Sequence, residues 1–190
     1  MFSPIIITFA EDNTIITENM EKKNIDPREL TDNFFEAIGK EWMLVTAGNK
    51  EKFNMMTASW GCIGWLWNKP VAVAFIRPER FTHEFIEKED RLTLCFLGES
   101  EEMRKAYALC GAKSGRDCDK VAATGLHLVE TANGTMTFEE ARLTLVCRKL
   151  YKDTIKENAF LDKSLVQWYG EKGGYHDVYV LEIESAELRK

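Results

Sequence analysis

No stretch of this 190-residue sequence approaches the roughly 20 consecutive apolar residues that a membrane-crossing helix requires. The apolar run from Pro4 to Ala10 follows no basic residue and meets Glu11 and Asp12 at once, which makes a poor secretion signal. Basic residues are in deficit: 25 Lys and Arg stand against 31 Asp and Glu, a formal net charge of −6. A chain so balanced lacks the basic stripe that nucleic acid or an anionic membrane would select, so neither partner is expected and a small molecule is. The five cysteines (Cys62, Cys95, Cys110, Cys118, Cys147) are odd in number and form no Cys-x-x-Cys pair. With only three histidines, none at ligand spacing, a zinc site is not expected. Cys95 and Cys147 lie in apolar, strand-like contexts, as in a reduced cytoplasmic protein whose cysteines serve as small hydrophobes. A Gly-x-Gly-x-x-Gly fingerprint and any internal repeat are also lacking.

What is present is an ordinary globular composition, 45% apolar and 29% charged, at a length that suits one domain. Residues 1–24 read as an extension and 25–190 as the domain. Asp26 as cap, Pro27 at the first position and Leu30, Phe34 and Ile38 at helical spacing predict a helix closed by Gly39. Strand signals follow at Trp42–Ala47, Phe53–Trp60 and Val71–Ile76. A short helix is expected over Thr82–Glu87, then a strand over Arg91–Leu97. Ser100 caps a helix carrying Met103, Ala106, Tyr107 and Cys110 on one face, with Gly111 as terminator. Further strands are predicted at Leu126–Glu130, Arg142–Tyr151 and Val178–Glu184, with a mixed, partly helical segment over Ala159–Tyr169. Many strands with short helices and no regular β-α-β alternation describe a mainly β protein with helices, a closed or half-closed β-barrel.

Three segments carry chemistry. In Asn54-Met55-Met56-Thr57-Ala58-Ser59-Trp60-Gly61, strand alternation puts Thr57 and Ser59 on one face, offering two hydroxyls to an anion or simply to water. In Arg77-Pro78-Glu79-Arg80-Phe81-Thr82, two guanidinium groups and a hydroxyl follow a buried strand and open a helix. That set can hold a phosphate, or the arginines can pair with Glu79 or Glu84. The third segment, Gly111 to Lys120, mixes glycines with donors and acids as many solvated loops do.

Taken in order, N-M-M-T-A-S-W-G, L-W-N-K-P-V, R-P-E-R-F-T, C-G-A-K-S-G-R-D-C-D-K and the tail segments E-E-A-R-L-T-L-V-C-R-K-L-Y and Y-H-D-V-Y resemble the flavin reductase-like family, closest to its flavoredoxin branch. The resemblance runs from about Ile25 to the carboxyl end. It implies an FMN-binding split barrel, Greek-key-like, that forms a homodimer with flavin near the subunit interface. By the same resemblance, Asn54, Met55, Met56, Thr57, Ala58, Ser59, Trp60, Gly61 and Cys62 line the flavin. Arg77, Arg80, Phe81 and Thr82 form the phosphate side, and Ser114, Arg116, Asp119 and Lys120 close over the cofactor. His176 matches a histidine near the flavin's reactive face. The implied activity passes hydride from NADH or NADPH to FMN and on to a flavin, protein or small-molecule acceptor. An FMN-binding electron carrier without turnover, or a relative of the pyridoxamine phosphate oxidases, are the other readings.

Overall fold

The computed structural model describes residues 22–170 and 174–189. In chain order the elements are β1 (Lys22–Ile25), α1 (Phe34–Glu36), β2 (Met43–Gly48), β3 (Phe53–Ala58), β4 (Gly61–Leu66), β5 (Lys69–Ile76), α2 (Phe81–Lys88), β6 (Arg91–Phe96), α3 (Glu101–Ala112), α4 (Lys120–Thr124), β7 (Leu128–Glu130), β8 (Met136–Phe138), β9 (Leu143–Thr154) and β10 (Asp177–Arg189). Residues 1–21, most of the expected extension, lie outside the described residues. Its last three, Lys22, Lys23 and Asn24, open β1, which pairs antiparallel with the end of β10.

The main sheet is antiparallel throughout and runs β3-β2-β6-β9-β10-β5-β4, with β1 added on β10. β3 and β4 stand at its opposite edges, yet only Ser59 and Trp60 separate them in the chain. Three Cα–Cα steps span at most about 11 Å. The sheet must therefore curl until its two edges nearly meet, without bonding to each other. That is a split barrel, and the mainly β class predicted from sequence holds. The register shifts of β10 against β9, at Val180/Leu181 and Ile183/Ser185, bend the long strands that carry the curl.

Alternation sorts the side chains. Met43, Val45 and Ala47 of β2 point into the barrel with Met56, Ala58, Ala72, Ala74, Leu94, Leu145 and Tyr179. Leu44 and Met55 point the other way, against Met103, Ala106, Tyr107 and Cys110 of α3. The face predicted for α3 is thus the buried one, and Ser100 caps it by accepting from the Met103 N–H. β2 is buried on both faces because α3 covers the outside of the barrel there.

The continuous helix predicted over 26–38 does not form. Asp26 does cap, but only the single 3-10 turn Pro27–Glu29, and the chain leaves it extended at Leu30. Asn33 then starts a new helix by accepting from the Phe35 N–H, and α1 widens into a π turn over Ala37–Glu41. Two competing caps within eight residues split what apolar spacing alone would join. The π turn delivers Glu41 into the protein, where its carboxylate takes two bonds from Arg142 Nε at 3.1 Å, one from Nη2 at 2.6 Å and one from the Gly98 N–H at 2.6 Å. The strand expected at Trp42 begins one residue later, since Trp42 takes φ +76°, a left-handed value costly for a bulky side chain. β4 was not among the expected strands; Trp67 and Asn68, both at positive φ, turn it into β5 as a two-residue hairpin. No helix among the described residues is long and apolar enough to cross a membrane.

Candidate functional site

The split of the barrel opens a cleft of about 210 Å³ lined by Met56, Thr57, Ala58, Ser59, Trp60, Phe75, Arg77, Arg80 and His176. Each comes to it for a topological reason. β3 must end where the barrel divides, so its last residues and the linker form one wall. β5 lies beside β4 at the other edge and delivers Phe75 and, just beyond its end, Arg77. Arg80 stands at the start of α2, and His176 immediately precedes β10, the neighbour of β5.

The cleft is cationic. Arg77 Nη2 donates to the main-chain carbonyl of Trp168 at 3.0 Å, and Arg80 Nη2 to that of Cys110 at 3.1 Å. Neither guanidinium is in ion-pair contact with a carboxylate among the described residues; the expected alternative partner Glu84 binds Arg116 instead. Burial, with Arg77 nearby, lowers the Arg80 pKa. Lys120 stands behind Arg80, 5% exposed, and donates to the carbonyls of Met55 at 2.7 Å and Cys110 at 3.1 Å. Burial lowers its pKa too, and Arg80 adds to the effect. Arg77 and Arg80 therefore meet only main-chain oxygens at the cleft, and Lys120 behind them is likewise bonded only to carbonyls.

The same cleft also carries an aromatic cluster. The Trp60 ring centroid lies 5.0 Å from that of His176, 6.0 Å from that of Trp168 and 6.4 Å from that of Tyr169. Arg77 stands over the Tyr169 ring at 5.9 Å. His176 is 7% exposed, and its Nδ1 is 3.2 Å from the Tyr169 hydroxyl. Burial and the Arg77 charge pull its pKa down to about 4, so the imidazole is neutral at physiological pH.

Most of the other residues singled out in the sequence fall outside the cleft, and Thr57 within it is already bonded. Asn54, Met55, Asp119 and Lys120, with Gly115 and Cys118, line a second hollow of about 430 Å³ on the α3 side of β3. Thr82 is fully buried; rather than facing a ligand or capping α2, its hydroxyl accepts from Asn54 Nδ2 at 2.7 Å. Thr57 donates its hydroxyl proton to the Tyr107 carbonyl at 2.6 Å. Phe81 packs on Phe85 and under the Arg116 guanidinium, 4.5 Å from its ring centroid. Ser114 accepts from the Arg116 N–H, and Asp119 caps α4. Gly61 permits a close approach, since a Cβ there would stand 2.8 Å from the Val73 carbonyl. Cys62 is exposed on β4. Sequence reasoning did not single out Phe75, Trp168 and Tyr169 for the site. The aromatic pair Trp168-Tyr169 was a visible signal, but nothing local ties it to strands a hundred residues away.

His83, Glu87 and Asp177 bring metal-ligand atoms together beside the cleft. Lys152 occupies the place of a cation there, its Nζ 2.8 Å from Glu87 and 2.9 Å from Asp177. Asp177 thus serves this ion-pair cluster, while its sequence neighbour His176 turns the opposite way into the cleft.

The family model for the flavin reductase like domain matches residues 35–190. Among solved structures, the fold is similar to that of the FMN-binding protein from Thermus thermophilus with bound 1-cyclohex-2-enone. The TM-score is 0.60 and identity 22%, over 83% of this chain and 74% of that one. It is also similar to flavoredoxin from Methanosarcina acetivorans (TM-score 0.57, 22% identity, 77% and 67% covered). Nitrilotriacetate monooxygenase component B from Bacillus cereus is a third (TM-score 0.60, 15% identity, 87% and 81% covered). No curated protein matches the chain significantly.

Proposed function

This chain belongs to the flavin reductase-like family, and on that premise we propose that it is an FMN-binding flavoprotein oxidoreductase that takes hydride from NADH or NADPH. The observation that carries the reading is the pair Arg77 and Arg80, two guanidinium groups at one cleft bonded only to main-chain carbonyls. A phosphate monoester, with about −1.5 to −2 charge and three acceptor oxygens, suits two such forked cations. Lys120 reinforces the positive potential from behind.

When bound, the flavin supplies the hydride chemistry. The chain's own residues do the rest. Arg77 and Arg80 hold the anionic end. Met56–Trp60 present a strand end and an indole wall to the ring, and Trp60, Trp168 and Tyr169 keep water from that side of the cleft. The loop from Ser114 to Lys120 flanks the same strand from the other side. A cleft of about 210 Å³ is small beside the ~300–1,000 Å³ usual for ligand sites. The exposed Trp65 and Trp67 of the adjoining edge hairpin fit a homodimer in which the second subunit completes the pocket.

A fluorescence titration with FMN tests the reading on the wild type and on Arg77→Ala with Arg80→Ala. A charge-assisted hydrogen bond contributes about 1.5–3 kcal/mol, so each lost arginine should weaken binding roughly 10- to 100-fold. The fold should persist, because Lys120 continues to satisfy the Cys110 carbonyl. Unchanged affinity in the double variant would place the phosphate elsewhere. Anaerobic mixing of the FMN-loaded protein with NADH or NADPH then separates an enzyme from a carrier: loss of flavin absorbance marks the enzyme.

A further inference from the structure

The cleft holds one polar side chain whose proton position decides what it can recognise. His176 has two ring nitrogens in different surroundings. Nδ1 faces the Tyr169 hydroxyl at 3.2 Å, whereas Nε2 has no hydrogen-bond partner among the described residues, on a ring that lines the cleft. The ring itself is held on two sides, by the Trp60 indole at 5.0 Å and edge-on by Tyr169 at 5.4 Å. Its main chain is fixed as well, since the His176 carbonyl accepts from the Ile155 N–H at 2.9 Å. This imidazole cannot turn freely to exchange its nitrogens.

A phenol has one proton to give, and the Tyr169 hydroxyl has no other hydrogen-bond partner among the described residues. An unprotonated imidazole nitrogen is a better acceptor than a phenol oxygen, so the O–H donates to Nδ1. Because the ring carries a single proton at neutral pH, that proton is then on Nε2. Burial raises the Tyr169 pKa, which keeps its own proton in place.

We infer that Tyr169 is a positioning residue that sets the tautomer of His176, so that the Nε2–H is offered to an acceptor oxygen, such as a ring or carboxamide carbonyl, of the molecule in the cleft. A neutral imidazole in this role polarises a carbonyl by hydrogen bonding and transfers no proton. The identity of that carbonyl, on flavin or on nicotinamide, rests on the proposed function; the tautomer does not.

The tautomer is read on the flavin-free protein with ¹⁵N-labelled histidine. Only three imidazoles contribute, and His176→Asn identifies the one in question. The expected spectrum has the His176 proton on Nε2. In Tyr169→Phe, which keeps the ring, the His176 signals should move toward a mixture of tautomers while those of His83 and His127 stay in place. A proton on Nδ1 in the wild type, or a Tyr169→Phe variant with an unchanged tautomer, overturns the inference whether or not the protein binds FMN. With FMN bound and NADH or NADPH added, flavin reduction in Tyr169→Phe should slow roughly three- to tenfold, the weight of one neutral hydrogen bond. An unchanged rate would mean that the Nε2–H plays no part in the step.

Discussion

Arg80 and Lys120 donate to one and the same acceptor, the main-chain carbonyl of Cys110, each at 3.1 Å. That carbonyl lies in the last turn of α3, where the helix dipole is negative and cations are favoured. The two donors face different hollows: Arg80 lines the one in the barrel split, and Lys120 the one on the α3 side of β3. A buried and a half-buried cation sharing one neutral oxygen form an arrangement that an anion would relieve.

Lys120→Met retains most of the side chain's length and removes its charge. The Met55 carbonyl loses its bond to Nζ, while the Cys110 carbonyl keeps Arg80. Urea denaturation should show a loss of about 1–3 kcal/mol, the range for leaving a buried acceptor unsatisfied. A midpoint equal to that of the wild type would show that the ammonium contributes nothing to the fold.

Glu41 is 4% exposed and gathers Arg142 and the Gly98 N–H, tying the π turn to the barrel. Glu41→Ala strands the Arg142 guanidinium with Asp32 as its remaining carboxylate partner. Arg142 is partly exposed and keeps Asp32, so the loss is that of charge-assisted hydrogen bonds, about 1.5–3 kcal/mol, and the thermal midpoint should fall accordingly.

At Gly115 an added Cβ would stand 1.9 Å from Asn54 Oδ1. Asn54 cannot retreat easily, because its Nδ2 is held by the buried Thr82 hydroxyl at 2.7 Å. Gly115→Ala should therefore displace the loop, destabilise the protein by about 1–3 kcal/mol, and weaken FMN binding. A melting curve and a titration on the same variant check both.

The depressed pKa of His176 makes stability depend on pH. Between its ordinary value of 6.5 and about 4 in the folded protein, the unfolded chain binds more protons at this site. Its contribution is complete above pH 6.5 and is lost as the pH falls toward 4. His127 acts with the opposite sign, since Glu140 raises its pKa and its contribution is lost as pH rises. Carboxylates held low, such as Asp177 and Glu87, add to the acid side only below about 4.5. In a His127→Ala background, urea midpoints from about pH 6.5 down to 5 should therefore fall, and adding His176→Asn should flatten that slope.

Much of the barrel was legible because its signals are local. Ser100 followed by Met103, Ala106, Tyr107 and Cys110 is a complete statement of α3, and Val71–Ile76 could scarcely be anything but a buried strand. The segment from Asp26 to Ile38 misled because its apolar spacing and its caps disagree, and the caps prevailed. β4 gave little warning, since a turn of Trp67 and Asn68 lacks the usual glycine.

For the site, sequence alone determined the chemistry: which residues carry charge, which carry rings, and that Arg77 and Arg80 follow a strand too apolar to lie anywhere but inside. Tertiary structure decided who meets whom. It turned the Thr82 hydroxyl inward to Asn54, sent Arg116 to Glu84, and brought Trp168 and Tyr169 across to Trp60 and His176. Those pairings depend on the sheet curling until β3 and β4 face each other across the cleft, a closure set by strand order and twist over the whole barrel, which no single segment encodes.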